Sequence, residues 1–394
     1  MSAMLLRIEE PVHGAVLHHR HGRQDSRGLE VRVRGTVRPG DLVTVNGVPA
    51  MGAGGRFEAQ FHLEAAVNVI TASSDGPAGR EVQQVQVLWD RHSRPRYRFA
   101  IDDNIYFLRE LARSQPRSLF AIPYLAALRA LHRRFGTRFV LNLFYTTPDA
   151  DFNLAQVPDL YRAEWCGNAD WLRLAFHAHA EFPDRPYEEA PPEILARDFD
   201  QVAAQILRFA GETAYSPPSV IHWGMVSPAA WPVLKARDVT VLSGFFVPAR
   251  GSSYTADGEQ LQVAGPADRY DINYGLDAER SEYLSRHDLW HDFGSGFTFS
   301  KIDLVCNNTP AEQVGPALEP LTANPDTAEI MDIFTHEQYF WPFYQAYRPD
   351  HVQRCEAAIR FCAERGYEPV FLPGPGVARI TGATAPDQSN GGRH

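Results

Sequence analysis

The sequence predicts an α/β architecture, a (β/α) barrel of seven or eight units over residues 96–375, preceded by an all-β sandwich over residues 1–92. Three observations predict it. The chain has 394 residues, too many for one ordinary core and enough for two domains, one of enzyme size. Its first part reads as short alternating strands broken by turn signals, and after the connector RHSRPR strands alternate with amphipathic helices, the pattern of parallel βαβ units.

In the first part the strands are LEVRVRGTV, LVTVNGVPA, RFEAQFHL, NVITASS and VQQVQVLW, separated by RPGD and GAGG. That is an all-β sandwich of immunoglobulin-like size. The V-x-V-N-G turn and F-x-x-x-F strand also resemble bacterial immunoglobulin-like modules found beside carbohydrate-active catalytic domains. His13, His18, His19 and His21 fall in a polar stretch and read as a solvated loop.

In the second part the expected strands are RYRFAID, RFVLNLFY, WLRLAFHAH, SVIHWG, VTVLSGFFV, FTFSKIDLV, EIMDIFTH and PVFLP. Helices such as SLFAIPYLAALRALHRRFG and DHVQRCEAAIRFCAERG lie between them, several ending at glycine as C-cap chemistry favours. Residues 376–394 are small and polar and are expected to be a disordered tail.

The formal charge of -10 gives no basic field for phosphates, which argues against nucleic acid as a partner. No apolar run reaches membrane-spanning length, and the first residues lack the features of a secretory signal. The chain as written is therefore expected in the cytoplasm, or outside the cell if a signal has been removed. The four cysteines form no C-x-x-C pair and read as reduced packing residues.

Active sites of parallel barrels lie at the C-terminal ends of the strands. The first strand ends in Asp102 and Asp103, adjacent carboxylates that repel unless a cation or proton shares them. A later strand ends FHAHAE, so that His177, His179 and Glu181 fall on one face if it stays extended, three metal ligands within reach of one ion. Further strand ends deliver His222 and Trp223, and then His336 and Glu337 before an aromatic group that includes Tyr339 and Trp341. Tyr339, Trp341, Trp223 and His222 are the expected substrate contacts, with aromatic faces suited to sugars. Carboxylate or imidazole at four separate strand ends points to an enzyme.

The order of these motifs resembles that of carbohydrate esterase family four and related polysaccharide deacetylases, over about residues 96–373. The resemblance implies a metal-dependent hydrolase that removes N- or O-acetyl groups from a carbohydrate, with zinc suited to imidazole and carboxylate ligands. On FAIDDN it implies Asp102 as general base and Asp103 as metal ligand; on IFTHE it implies His336 as acid, with Glu337 beside it. His177 matches the first histidine of the family's His-x-x-x-His motif. Glu181 stands at the second position and His179 between them, so the third ligand is His179 or Glu181. Two other functions remain in view: glycoside cleavage by paired carboxylates among Asp102, Glu181 and Glu337, and carbohydrate binding without catalysis.

Overall fold

The computed structural model describes residues 6–77, 79–248, 253–254, 260–261 and 270–372. The chain divides into two compact units, one formed by residues up to Ser93 with Leu289–Thr298, the other by Arg94–Asp288 with Phe299–Gly374. The first unit thus includes a segment from late in the chain that the 1–92 boundary leaves out. The expected tail, 376–394, lies outside the described residues.

The first unit is all-β. One sheet runs Arg7–Glu10, Leu29–Thr36, Arg56–Leu63, Met51–Ala53, with Gly22–Gln24 also against Leu29–Thr36. The other runs Val16–Leu17, Gly79–Trp89, Val67–Gly76, Leu42–Val45, Val48–Pro49. Alternation decides which side chains go inside: Leu29, Val31 and Val33 are buried while Arg32 and Arg34 face out. Each such aliphatic side chain contributes about 1.5–3 kcal/mol by leaving water. Asn46 and Gly47 both take positive φ, 47° and 81°, and close the two-residue hairpin between Leu42–Val45 and Val48–Pro49. An Asn-Gly pair is suited to that turn because neither residue resists the left-handed region strongly.

The second unit is built on a parallel sheet in the order Leu172–Ala178, Phe139–Phe144, Arg96–Asn104, Ile330–His336, Leu304–Val305, with Glu368–Pro369 beside the start of Arg96–Asn104. Every residue of Arg96–Asn104 is buried, as a central parallel strand covered on both faces must be. Helix Pro123–Phe135 buries Tyr124, Leu125, Leu128 and Leu131 and stops at Gly136, whose φ of 73° forms the C-cap. Helix Pro192–Phe209 buries Leu195, Phe199, Val202 and Ile206 at the same helical spacing.

Three expected strands differ. Val241–Gly244 and Phe297–Lys301 lie outside the parallel sheet. SVIHWG is no strand: His222–Gly224 is a single 3-10 turn in which Trp223 and Gly224 take φ of 63° and 54°. A Cβ on Gly224 would sit 2.4 Å from a methyl carbon of Ile272, so this turn needs glycine at its second left-handed position. The apolar SVI run signals burial, which a buried turn satisfies as well as a strand. Among the described residues no helix is long and apolar enough to cross a membrane.

Candidate metal centre

Asp102, Asp103, His177 and His336 all stand at the carboxyl ends of strands of the one parallel sheet, the end at which such sheets present functional residues. Asp102 and His336 are register partners across the first and the Ile330–His336 strands. A register shift between Ile101 and Asn104 against the neighbouring strand, with Asp103 at φ 60°, breaks the alternation expected of consecutive residues. Both carboxylates consequently act on His177. A left-handed aspartate costs about 1–3 kcal/mol and persists where its surroundings fix it. Asn104 does the fixing: fully buried, it donates to the carbonyls of Ile101 at 2.6 Å and Asn142 at 3.2 Å and accepts from the Tyr124 hydroxyl at 2.7 Å.

Three buried ligand atoms converge. Asp103 Oδ1 lies 3.0 Å from His177 Nε2 and 3.4 Å from His222 Nδ1, and the two imidazole nitrogens are 3.1 Å apart. Ligands about 2.0–2.1 Å from a tetrahedral ion stand about 3.3 Å from one another, so the triangle has the size of three such ligands. His222 Nε2 lies 3.0 Å from the Glu181 carbonyl oxygen, which only accepts; Nε2 therefore carries the proton and Nδ1 turns a lone pair into the triangle. Asp103 Oδ1 is buried without a well-directed hydrogen bond, an orphan that a cation would satisfy. Asp103 Oδ2 accepts from Gln338 Nε2 at 2.9 Å, which leaves Oδ1 as the free donor atom.

Burial alone would raise the Asp103 carboxyl, yet the imidazoles of His336, His177 and His222 hold it well below the usual carboxylate range. At His177 burial works against the charged ring, and the carboxylates of Asp102 and Asp103 outweigh it and raise the pKa. Such mutual perturbation makes the cluster a candidate functional site. Asp102 is itself oriented by Asn142, whose Nδ2 donates to its Oδ1 at 2.6 Å. Across the triangle His336 Nε2 lies 3.9 Å from Asp103 Oδ2 while its Nδ1 meets Asn307 Oδ1 at 3.0 Å.

Several expected roles fall elsewhere. His179 is not in the triangle: the strand ends at Ala178, and the imidazole turns outward, 42% exposed, stacked on Tyr145 with Nδ1 3.9 Å from Asp198. Glu181 enters the triangle only indirectly, through its carbonyl; burial and then the Asp103 charge push its carboxyl up to about 7. His222, expected as a substrate contact, is the residue that stands with Asp103 and His177 in the triangle. Glu337, expected as catalytic, caps the helix Tyr106–Ser114 instead. Its carboxylate accepts from the backbone N–H groups of Ile105 at 2.6 Å, Tyr106 at 2.9 Å and Phe107 at 2.5 Å and from Trp341 Nε1 at 2.9 Å. An anion satisfies the unpaired donors of a helix start, and these four bonds engage both oxygens of this glutamate.

The aromatic expectations divide. Tyr339 is buried against His351 and Tyr344, and the Trp341 indole N–H is committed to Glu337. Trp223 is half-buried, next to His222, with the Arg185 guanidinium 5.5 Å from its ring centre. Sequence reading missed Gln338, Asn142 and Asn307, none of which belongs to a spacing pattern; only their places beside Glu337, in an apolar strand and after Val305 would have drawn attention to polar residues due for burial.

No family model matches the chain, and no curated protein matches it. Among solved structures it is similar to a Bordetella bronchiseptica protein described as "a putative polysaccharide deacetylase involved in o-antigen biosynthesis", at 11% identity and a TM-score of 0.32 over 69% of this chain and 91% of that one. It is also similar to the fibronectin(III)-like modules of Clostridium thermocellum CbhA, at 15% identity and TM-score 0.17 over 26% of this chain and 57% of that one. Titin domains Z1Z2 in complex with telethonin match at 9% identity and TM-score 0.17 over 27% of this chain and 60% of that one. The chain thus spans less than two thirds of the length of the module structures it matches. TM-scores this low leave the chemistry to be read from the residues themselves.

Proposed function

We propose that the chain is a metal-dependent hydrolase that removes acetyl groups from a carbohydrate, with the parallel-sheet unit read as a (β/α) barrel of the polysaccharide-deacetylase type. The observation that carries this reading is the buried Asp103–His177–His222 triangle, with Asp102 and His336 beside it. The donor set of two imidazoles and one carboxylate suits zinc and leaves coordination positions to spare. When bound, such an ion polarises an acyl carbonyl and makes water a stronger acid.

The chain's own residues supply the proton transfers. Asp102, held by Asn142, takes the proton of the attacking water. His336, held at Nδ1 by Asn307, presents Nε2 toward the triangle and from there protonates the departing amine or alcohol. Trp223 offers a half-buried ring at the edge of the cleft for a sugar face. Glycoside cleavage is less well supported because Glu337 spends its carboxylate on a helix cap.

The test pairs elemental analysis with acetate release from N-acetylated glucosamine oligomers and O-acetylated xylan. Wild type should hold about one zinc per chain, Asp103→Ala none, and Asp102→Asn should keep the metal while losing activity by about a hundredfold or more. Full metal content in Asp103→Ala, or none in metal-replete wild type, would sink the reading.

A further inference from the structure

We infer that Asn307 is a positioning residue for His336, the link in a buried hydrogen-bond chain that runs from His351 through Thr335 and sets which ring nitrogen of His336 carries the proton. The inference rests on the proposed function for what that proton does, but not for where it sits.

Four side chains form the chain. His351 Nε2 is 2.9 Å from Thr335 Oγ1, Thr335 Oγ1 is 3.2 Å from Asn307 Oδ1, and Asn307 Oδ1 is 3.0 Å from His336 Nδ1. Asn307, Thr335 and His351 are each at most 2% exposed, so water does not compete for these bonds. The direction of each bond follows from the one group that cannot donate. Asn307 turns its Nδ2 to Asn308 Oδ1 at 2.8 Å, which identifies the other amide atom as the carbonyl oxygen, an acceptor only.

The Thr335 hydroxyl must therefore give its single proton to Asn307, and His351 Nε2 must donate to Thr335. Burial, reinforced by the Arg354 charge, drives the His351 pKa down to about 3, which keeps that ring neutral with one proton to place. His336 Nδ1 must likewise donate to Asn307. Neutral His336 is thus the Nδ1–H tautomer, with the Nε2 lone pair on the side of Asp103 Oδ2.

This tautomer matters for an acid that works from Nε2. A ring that has just given up its Nε2 proton is left in the Nδ1–H form, the form Asn307 already holds, so before the next cycle it needs only to take a proton back at Nε2, the one Asp102 removed from water balancing the one lost, with no ring rotation and no tautomer exchange. An amide oxygen also orients the ring without placing a second negative charge beside Asp103.

The test is the tautomer itself, read from two-bond proton–nitrogen couplings of full-length protein labelled with 15N-histidine, the His336 signals being assigned by their loss in His336→Gln. Wild type should show Nδ1–H; Asn307→Leu should move His336 toward the Nε2–H form that imidazole prefers in water; Asn307→Asp, which keeps an acceptor, should restore Nδ1–H. Acetate release should fall about tenfold to a hundredfold in kcat in Asn307→Leu, with KM and zinc content unchanged, and recover in Asn307→Asp. An Nε2–H tautomer in wild type overturns the inference even if Asn307→Leu does not fold, as does an unchanged tautomer in a folded Asn307→Leu. If the tautomers shift as expected while wild type releases no acetate from any substrate, the positioning role stands and the deacetylase reading fails.

Discussion

His222 Nδ1 lies 3.1 Å from His177 Nε2, although one ring comes from a 3-10 turn and the other from the end of a parallel strand. Two imidazoles facing nitrogen to nitrogen beside an orphaned carboxylate oxygen are the donor set of the metal site proposed above. His222→Ala should therefore reduce bound zinc as severely as His177→Ala, whereas His179→Ala should leave about one ion per chain. Elemental analysis of the three purified variants decides it: equal metal in His222→Ala and wild type would remove His222 from the set.

Glu337 satisfies three backbone donors and one indole at the start of Tyr106–Ser114. Glu337→Ala strands those buried donors and should cost about 2–4 kcal/mol in denaturant unfolding. The folded fraction of the variant should keep its metal and its specific activity. A variant of unchanged stability but lost turnover would return Glu337 to a catalytic role.

Much of the centre was legible in the sequence because parallel strands put their functional residues at their carboxyl ends, so that DD, the first histidine of FHAH and the histidine of IFTH could each be placed from an apolar run and its last residue. The alternation rule failed where the backbone left the extended state. Asp103 at φ 60° brings two neighbouring aspartates onto one imidazole, and the strand that should have carried His179 beside His177 ends one residue too early. His222 was read as a substrate contact, whereas the structure puts its Nδ1 beside Asp103 and His177, a proximity that no local pattern of the sequence shows. The all-β reading of the first unit fared well on the Asn46–Gly47 turn and missed the late segment Leu289–Thr298, because no local pattern shows which unit a distant hairpin joins.

Acid should unfold the protein partly through His351. Its pKa is about 3 in the folded chain and about 6.5 when exposed, so between those values the unfolded chain binds a proton that the folded chain refuses. Stability from this group is complete above pH 6.5 and falls toward pH 3, by about 1.4 kcal/mol per pH unit at the steepest. Glu181 and Glu337, both pushed up to about 7 by burial, act in the opposite direction from about pH 7 down to 4.5 and, being two groups against one, more than offset it there in wild type. The comparison that isolates it is wild type against His351→Gln, whose stabilities should converge as pH falls from 6.5 to 4. Parallel curves would show that His351 is accessible to protons in the folded state.

Arg98 and Asp332 are register partners on adjacent strands, their side chains 1% and 0% exposed, and they pair directly while Ser300 Oγ donates to the second carboxylate oxygen at 3.1 Å. Desolvating both charges costs about as much as their attraction returns, so the pair as a whole adds little. Breaking it is another matter. Asp332→Ala would leave a guanidinium buried without its counter-charge and should destabilise the chain by about 3–5 kcal/mol, whereas Arg98→Met with Asp332→Leu, which removes both charges and fills the space, should cost less than either single change. Denaturant unfolding of the two single variants and the double gives the coupling; costs that simply add would mean that water or another charge reaches Arg98.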